Sequence, residues 1–362
     1  MSIFEKTRNW YGRYERPISS LSLISGFIFD AITLKRIDTL WENVWIILHI
    51  FIVGLFIALI HIQENDKGDE KNPIKKHFWY VNILQFFFGG LISTFLVFYF
   101  RSSDLFTTWP FILILVAAFV ANESLKRHYM RFSFQISLFF ISIYSFFIFV
   151  IPVILHKIGT MVFLLSGALS LIFIAIFIAI LLYFIKEEFR ESKKLILSLI
   201  IGISLLVNFL YFTNLIPPIP LSLKDAGVFY SIQKNENGNY DAIQEKYGWK
   251  NYFKFYKDFK KISTYPVYVY SAIFSPTDLD ITVLHEWQYY NAINKKWITE
   301  TIINLPIKGG RDDGFRTYSM RYNLREGKWR VNIKTELGQT IGRLRFEILP
   351  TNILPEILNI TK

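Results

Sequence analysis

Over roughly the first 213 residues, apolar side chains run in long unbroken blocks. Six of these predict membrane-crossing helices: Val44–Ile62, Phe78–Phe100, Leu105–Ala121, Phe132–Leu155, Thr160–Ile185 and Leu195–Thr213. At 1.5 Å per residue, such blocks reach across a hydrocarbon core of roughly 30 Å. A seventh run, Ile18–Leu34, is short, rich in serine and interrupted by Asp30. Either it spans or it lies in the interface. Arg8, Arg13 and Arg16 before it resemble the start of a signal peptide, but Phe27-Ile-Phe-Asp30 offers no small-residue cleavage site. The run is expected to be retained.

From Tyr265 the period changes to two. Tyr265–Phe274, Ile281–Tyr290, Trp297–Ile307, Phe315–Tyr322, Lys328–Thr335 and Thr340–Leu349 are rich in aromatic and β-branched residues, with turn-forming residues between them. Short strands at this spacing predict an all-β antiparallel sandwich, Ig-like in class. The expected architecture is an α-helical polytopic membrane bundle of about seven spans (1–221), an aromatic and basic connector (222–264), the sandwich (265–349) and a C-terminal tail (350–362). Pro217, Pro218 and Pro220 stiffen the exit from the last span. In the connector, Trp249, Tyr252, Phe253, Tyr256 and Phe259 recur at helical spacing with lysines elsewhere on the wheel. That pattern fits an interfacial helix, a segment packed on the following domain, or a strand over Tyr252–Lys257. Packing is the preferred reading.

Lys and Arg in the short loops set the orientation. With the first run counted as a span, one side carries 15 of them and the other only 4: Lys35, Arg36, Arg101 and Lys157. The expected topology is a bacterial cytoplasmic (inner) membrane protein with a cytoplasmic N-terminus and an extracytoplasmic C-terminal domain. Without that run the bias is 11 against 8, and the C-terminus is still outside. The formal charge of +11 is divided almost evenly, +5 over 1–221 and +6 over 222–362, with no long basic block. This argues against nucleic acid as a partner. The composition, 52% hydrophobic and 19% charged, excludes an ordinary soluble protein. A cysteine count of zero excludes disulfides and thiolate chemistry.

Ionisable and polar groups inside apolar runs are functional candidates. Asp30 is the acid lying well inside one, and Lys35 and Arg36 follow within reach of a helix turn or two. His49, His61, Asn82, Gln85, Asn122, Glu123 and Asn208 are readable as interfacial groups or helix-bridging amides. In the distal half, His285-Glu286 lacks the second histidine of a zinc-protease helix, because Tyr289 stands there. On a strand, His285 and Trp287 share a face and Glu286 takes the other, with Trp287 suited to the sandwich core. Asp312 and Asp313 in the Gly309–Gly314 loop lack an EF-hand ligand ladder and read as a turn. Candidate ligand-binding residues are His285, Trp287, Arg311, Arg316, Arg330, Arg343 and Arg345. Arg343 and Arg345 share a strand face, and Arg330 can pair across from them. Such a stripe suits phosphate or carboxylate groups of envelope polymers; the plainer reading is a solvated sheet face.

His285-Glu-Trp-Gln-Tyr-Tyr290, Gly309-Gly-Arg-Asp-Asp-Gly-Phe-Arg-Thr-Tyr-Ser319, Gly327-Lys-Trp-Arg-Val331 and Gly338-Gln-Thr-Ile-Gly-Arg343 together resemble the bacterial domain of unknown function 2914. Gly26-Phe-Ile-Phe-Asp30, Thr33-Leu-Lys-Arg-Ile-Asp38 and Leu215-Ile-Pro-Pro-Ile-Pro-Leu-Ser-Leu-Lys224 resemble the membrane half that precedes this domain in some members. The resemblance implies a bacterial membrane protein of unassigned activity and carries over no catalytic residue. The sequence shows no nucleophile elbow and no phosphate-binding loop of the GxxxxGK[ST] type. Neither a cofactor nor a metal is expected. The preferred reading is a non-catalytic envelope protein, in contact with the lipid bilayer, whose sandwich binds an envelope polymer or a periplasmic protein. The alternatives are a transporter or intramembrane enzyme using Asp30, and a sensor that needs a separate output partner.

Overall fold

The computed structural model describes residues 21, 24–34, 39–65, 78–124, 131–236, 238–249, 254–261, 265–276, 279–309, 313–351 and 355–362. The chain divides into two units. A helical unit comprises residues 1–100 and 109–215, and a β unit comprises 101–108 and 216–362.

Helix α1 (Ile24–Thr33) is a short apolar helix. Six longer helices follow: α2 (Leu40–Asn65), α3 (Phe78–Arg101), α4 (Leu105–Ser124), α5 (Phe132–Leu155), α6 (Thr160–Leu182) and α7 (Lys186–Phe212). All six are long and apolar enough to cross a membrane. They correspond to the six apolar blocks of the sequence, and this is a multi-pass architecture. A helix satisfies its own backbone, which hydrocarbon requires. The small polar side chains follow the same rule. Ser142, Ser166 and Ser170 donate to the carbonyls of Leu138, Val162 and Ser166 one turn earlier.

The larger polar side chains pair between helices. His61 Nε2 lies 3.0 Å from Gln135 Oε1, with both residues fully buried. Gln85 and Asn122 each donate to the other's backbone carbonyl, at 3.1 and 3.2 Å. Asn208 donates to the Tyr144 hydroxyl at 3.2 Å. Such pairs fix which helix faces meet, since apolar contact alone discriminates weakly in lipid. Gly167 faces that same hydroxyl, where a Cβ would sit 2.8 Å from it.

The β unit has eleven strands: β1 (Ser222–Phe229), β2 (Ser231–Lys234), β3 (Tyr240–Glu245), β4 (Lys257–Lys261), β5 (Val267–Phe274), β6 (Asp280–Asn291), β7 (Lys296–Lys308), β8 (Phe315–Arg321), β9 (Gly327–Thr335), β10 (Thr340–Pro350) and β11 (Ile357–Thr361). The six strands expected from the alternating pattern appear as β5 to β10. They form two facing sheets, ordered β1-β5-β8 and β4-β10-β9-β6-β7. The inner faces meet through Val267, Val269 and Ile273 on one side and Val283, Trp287, Val331, Ile333 and Phe346 on the other, all essentially buried.

Three features depart from a plain antiparallel, Ig-like sandwich. The first is that β4 pairs with β10 in parallel, Phe346 opposite Lys257 through Pro350 opposite Lys261. No hairpin joins these strands, so no tight turn forces them antiparallel. The second is that a third sheet, ordered β11-β3-β2, packs on the back of the first. Phe229, Ile232, Ala242, Tyr270 and Ala272 form the core between them. The third concerns the residues read as connector and tail, which supply β1 to β4 and β11. Phe259 is buried in β4 against Tyr230 and Phe346 rather than on an interfacial helix. Residues 250–253 of the aromatic and basic stretch lie outside the described residues. The architecture supports the sandwich and not the Ig-like label.

Turn chemistry sets the registers. In the β6–β7 hairpin, Asn291 Oδ1 accepts from the amides of Ile293 and Asn294. After β7, Gly309 donates to the Leu279 carbonyl at 3.0 Å, and a Cβ there would collide with the backbone carbonyl of Pro276. Gly309→Ala is therefore expected to cost about 1–3 kcal/mol, because a backbone atom must move. Hydrogen exchange of the β6 and β7 amides in the full-length variant measures it. Unchanged protection would contradict this packing.

Candidate anion-binding face of the β unit

Strand alternation separates two chemistries on β6, β9 and β10. Facing the first sheet, His285 and Trp287 are fully buried. His285 Nδ1 lies 2.8 Å from Ser319 Oγ and Nε2 lies 2.9 Å from Ser271 Oγ. Trp287 Nε1 donates to the same Ser319 oxygen at 3.0 Å. Ser271 sits on β5 and Ser319 on β8, so the imidazole ties the two sheets together. Burial pushes its pKa down to about 3. A sealed, weakly basic imidazole of this kind holds the sandwich and does not reach a solvent-borne ligand.

The opposite face of the five-stranded sheet is polar and cationic. Arg345 on β10 stands directly opposite Arg330 on β9, and Arg343 stands opposite Asn332. Arg330 Nε donates to Gln288 Oε1 at 2.6 Å, and Arg343 Nε donates to Asn332 Oδ1 at 2.5 Å. Asn332 donates onward to Glu286 Oε2 at 2.9 Å and to Gln288 Oε1 at 3.1 Å. Glu286 also accepts from Lys334 Nζ at 2.6 Å and from Thr299 Oγ1 at 3.0 Å. Burial alone would raise the Glu286 pKa; its bonds from Lys334, Asn332 and Thr299 outweigh this and hold it below the usual range.

The guanidinium of Arg330 lies 4.3 Å from the Trp297 ring centre. That of Arg345 lies against a pair of aromatic rings that meet edge to face, 4.3 Å from Phe106 and 4.5 Å from Phe255. Arg343 Nη1 comes within 3.8 Å of Asp104 Oδ2, which also accepts from Thr107 Oγ1 at 2.8 Å. Burial pushes Arg330 down to about 10, and Arg343 and Arg345 add to this by repulsion. Arg345 is lowered for the same reasons, burial first. At about 10, Arg330 stays charged at neutral pH. Three guanidinium groups thus share one face with Glu286, which is committed to Lys334, with Asp104, and with Glu347, the next residue along the same face of β10.

The remaining sequence candidates lie elsewhere. Arg316 is on the back of the first sheet, donating to Asn239 Oδ1 at 2.6 Å. It borders a separate cavity of about 350 Å³ with Lys224, Asp225, Asp313 and Lys362. Arg311, Lys35 and Arg36 lie outside the described residues, as does Asp312. In the helical unit, Asp30 on α1 accepts a 2.5 Å hydrogen bond from Ser93 on α3. Sequence reading missed Gln288, Asn332 and Glu286 as the scaffold of the cationic face. Their parity on β6 and β9 was the available signal. It also missed Asp104, Phe106 and Phe255, which only the tertiary fold brings to the arginines.

Comparison with solved structures returns distant similarities. A β-glucosidase from Listeria innocua, crystallised with isofagomine, is 9% identical over 37% of this chain and 17% of its own, with a TM-score of 0.21. The chain thus spans about a sixth of that enzyme. The alkylpurine DNA glycosylase AlkC of Pseudomonas fluorescens, bound to DNA with an abasic site analogue, is 8% identical over 83% of this chain and 96% of its own, again with a TM-score of 0.21. No curated protein matches the sequence. A family match does fall on the cationic face and the buried seam together: residues 280–348, spanning β6 to β10, match the family described as "Protein of unknown function (DUF2914)".

Proposed function

We propose that this is a non-catalytic envelope protein of the bacterial cytoplasmic membrane, anchored by its helical unit, whose extracytoplasmic β unit binds an anionic envelope component through Arg330, Arg343 and Arg345. The carrying observation is the gathering of three guanidinium groups on one sheet face, two of them hydrogen-bonded through Nε to neutral amides and the third packed on aromatic rings. Clustering like charges costs free energy, and a bound anion offsets that cost. The orientation rests on the lysine and arginine bias of the short loops.

Two measurements on the full-length protein test the proposal. Ile293, 92% exposed in the β6–β7 turn, and the exposed Glu191 near the start of α7 are changed singly to cysteine. Membrane-impermeant maleimide on intact cells is expected to label Cys at 293 and spare Cys at 191. The reverse would place the β unit in the cytoplasm. Detergent-solubilised protein is then offered separate fractions of envelope lipid, peptidoglycan and anionic surface polymer. At least one is expected to retain the wild type about tenfold better than R330Q/R343Q/R345Q. Equal retention of both proteins by every fraction would overturn the binding role.

A further inference from the structure

We propose that the group bound by this cationic face is the phosphate of an anionic lipid headgroup, held where the chain enters the bilayer. The inference rests on the proposed anion-binding role and names its ligand.

Stoichiometry points to phosphate. Arg330 and Arg345 are cross-strand partners, and Arg343 is two residues along the same face of β10. Cross-strand neighbours lie about 5 Å apart and next-nearest residues on one strand about 7 Å apart. Arg330 and Arg343 are each held through Nε by an amide oxygen. That bond uses Nε and leaves the two terminal nitrogens of each guanidinium without a hydrogen bond among the described residues. The Arg343–Asp104 approach of 3.8 Å is an ion pair too long for a hydrogen bond. Arg345 makes no hydrogen bond among the described residues; it packs on the two rings and feels the charge of Asp104. Three planar forks with open donor edges exceed what one carboxylate accepts. They match the several oxygens of a phosphate.

Position points to lipid. Phe106, whose ring stacks on Arg345, lies in the first turn of α4, a helix apolar enough to cross the membrane from Leu105. A residue at that depth belongs to the headgroup layer. Phe106 is 61% exposed and Phe255, which packs edge to face on it at 5.5 Å, is 55% exposed. An exposed pair of aromatic rings against an arginine is the composition of a membrane-interface anchor. Residues 101–108 also group with the β unit, so the arginines and this turn form one site within one unit.

The test uses the full-length protein in mixed micelles carrying phosphatidylglycerol or phosphatidylcholine, with retained lipids counted by native mass spectrometry. R345Q is the first variant, because Arg345 donates to no described protein acceptor and its loss strands none. R343K/R345K is the second, keeping charge but losing the fork. The wild type is expected to prefer phosphatidylglycerol by about tenfold, R345Q to lose most of that preference, and the lysine pair to fall between. Millimolar inorganic phosphate is expected to compete poorly. Full displacement of phosphatidylglycerol by inorganic phosphate would overturn the lipid source and leave a free phosphate as ligand. Equal preference in wild type and R345Q would overturn the inference. If R330Q/R343Q/R345Q loses polymer retention while phosphatidylglycerol preference survives in it, the anion-binding role stands and the lipid assignment falls.

Discussion

Lowering the pH from 7.5 to 5 is expected to loosen the sandwich by about 2 kcal/mol, through His285 alone. In the unfolded chain an imidazole takes up its proton near pH 6.5. In the folded protein burial delays this to about 3. Between those values the unfolded state binds the extra proton, so stability is full above about 6.5 and is lost as the pH falls toward 3. The slope is about 1.4 kcal/mol per pH unit. The packing explains why the proton is refused. In register, His285 lies between Ile303 on β7 and Ile333 on β9, and its ring nitrogens meet only the Ser271 and Ser319 hydroxyls. No described carboxylate is placed to support an imidazolium.

Hydrogen exchange of β6 amides in the full-length protein, corrected for the intrinsic pH dependence of exchange, reads this slope. His285→Gln removes the titrating group while keeping an amide that can reach a hydroxyl. Its protection is expected to be flat between pH 7.5 and 5, where the wild type falls by about thirtyfold. Parallel profiles would show that another group carries the acid sensitivity. His285→Ala is expected to cost about 3–4 kcal/mol even at pH 7.5, since it opens a cavity and strands the Ser271 hydroxyl.

Much of this fold was legible in the sequence because its two halves use different periods. Unbroken apolar blocks gave the six long helices. Alternation gave β5 to β10 within two residues at each end; the burial contrast behind it is sharpest on β10, whereas β5 is covered on both faces and β7 is largely open. The strands that escaped, β1 to β4 and β11, are those without that contrast. Lys257–Lys261 carries three lysines and one buried aromatic, and its partner β10 lies some ninety residues away. Parity on β6 correctly separated His285 and Trp287 from Glu286. It did not reveal that both inward residues share Ser319, because hydroxyls on β5 and β8 have no sequence signature. The arginine stripe was visible as a stripe. The aromatic pair against Arg345 was not, because Phe106 and Arg345 are joined by tertiary structure alone.

Glu286→Ala is expected to separate stability from binding on the cationic face, lowering the first and raising the second. The carboxylate is 12% exposed and accepts from Lys334, Asn332 and Thr299. Removing it leaves a partly buried ammonium without its 2.6 Å partner and frees Asn332, the amide that orients Arg343. Losing one member of a partly buried, hydrogen-bonded pair costs about 2–3 kcal/mol, most of it the desolvation of the group left behind. The pH sign agrees: a carboxyl held below its unfolded value stabilises at neutral pH, and that contribution is lost as the pH falls through its folded value. The variant should therefore be less stable at pH 7 and nearly equal to the wild type in strong acid. For an anion the change runs the other way. The face then carries Arg330, Arg343, Arg345 and Lys334 with one carboxylate fewer, Asp104 and Glu347 remaining beside the arginines, and Lys334 becomes a fourth donor. Phosphatidylglycerol retention is expected to rise severalfold, with a steeper loss on adding salt than in the wild type. Glu286→Ala/Lys334→Ala restores the charge balance and should bring retention back to the wild-type level. If Glu286→Ala weakens stability and retention together, the network positions the arginines more than it neutralises them, and the binding face depends on Asn332 being held in place.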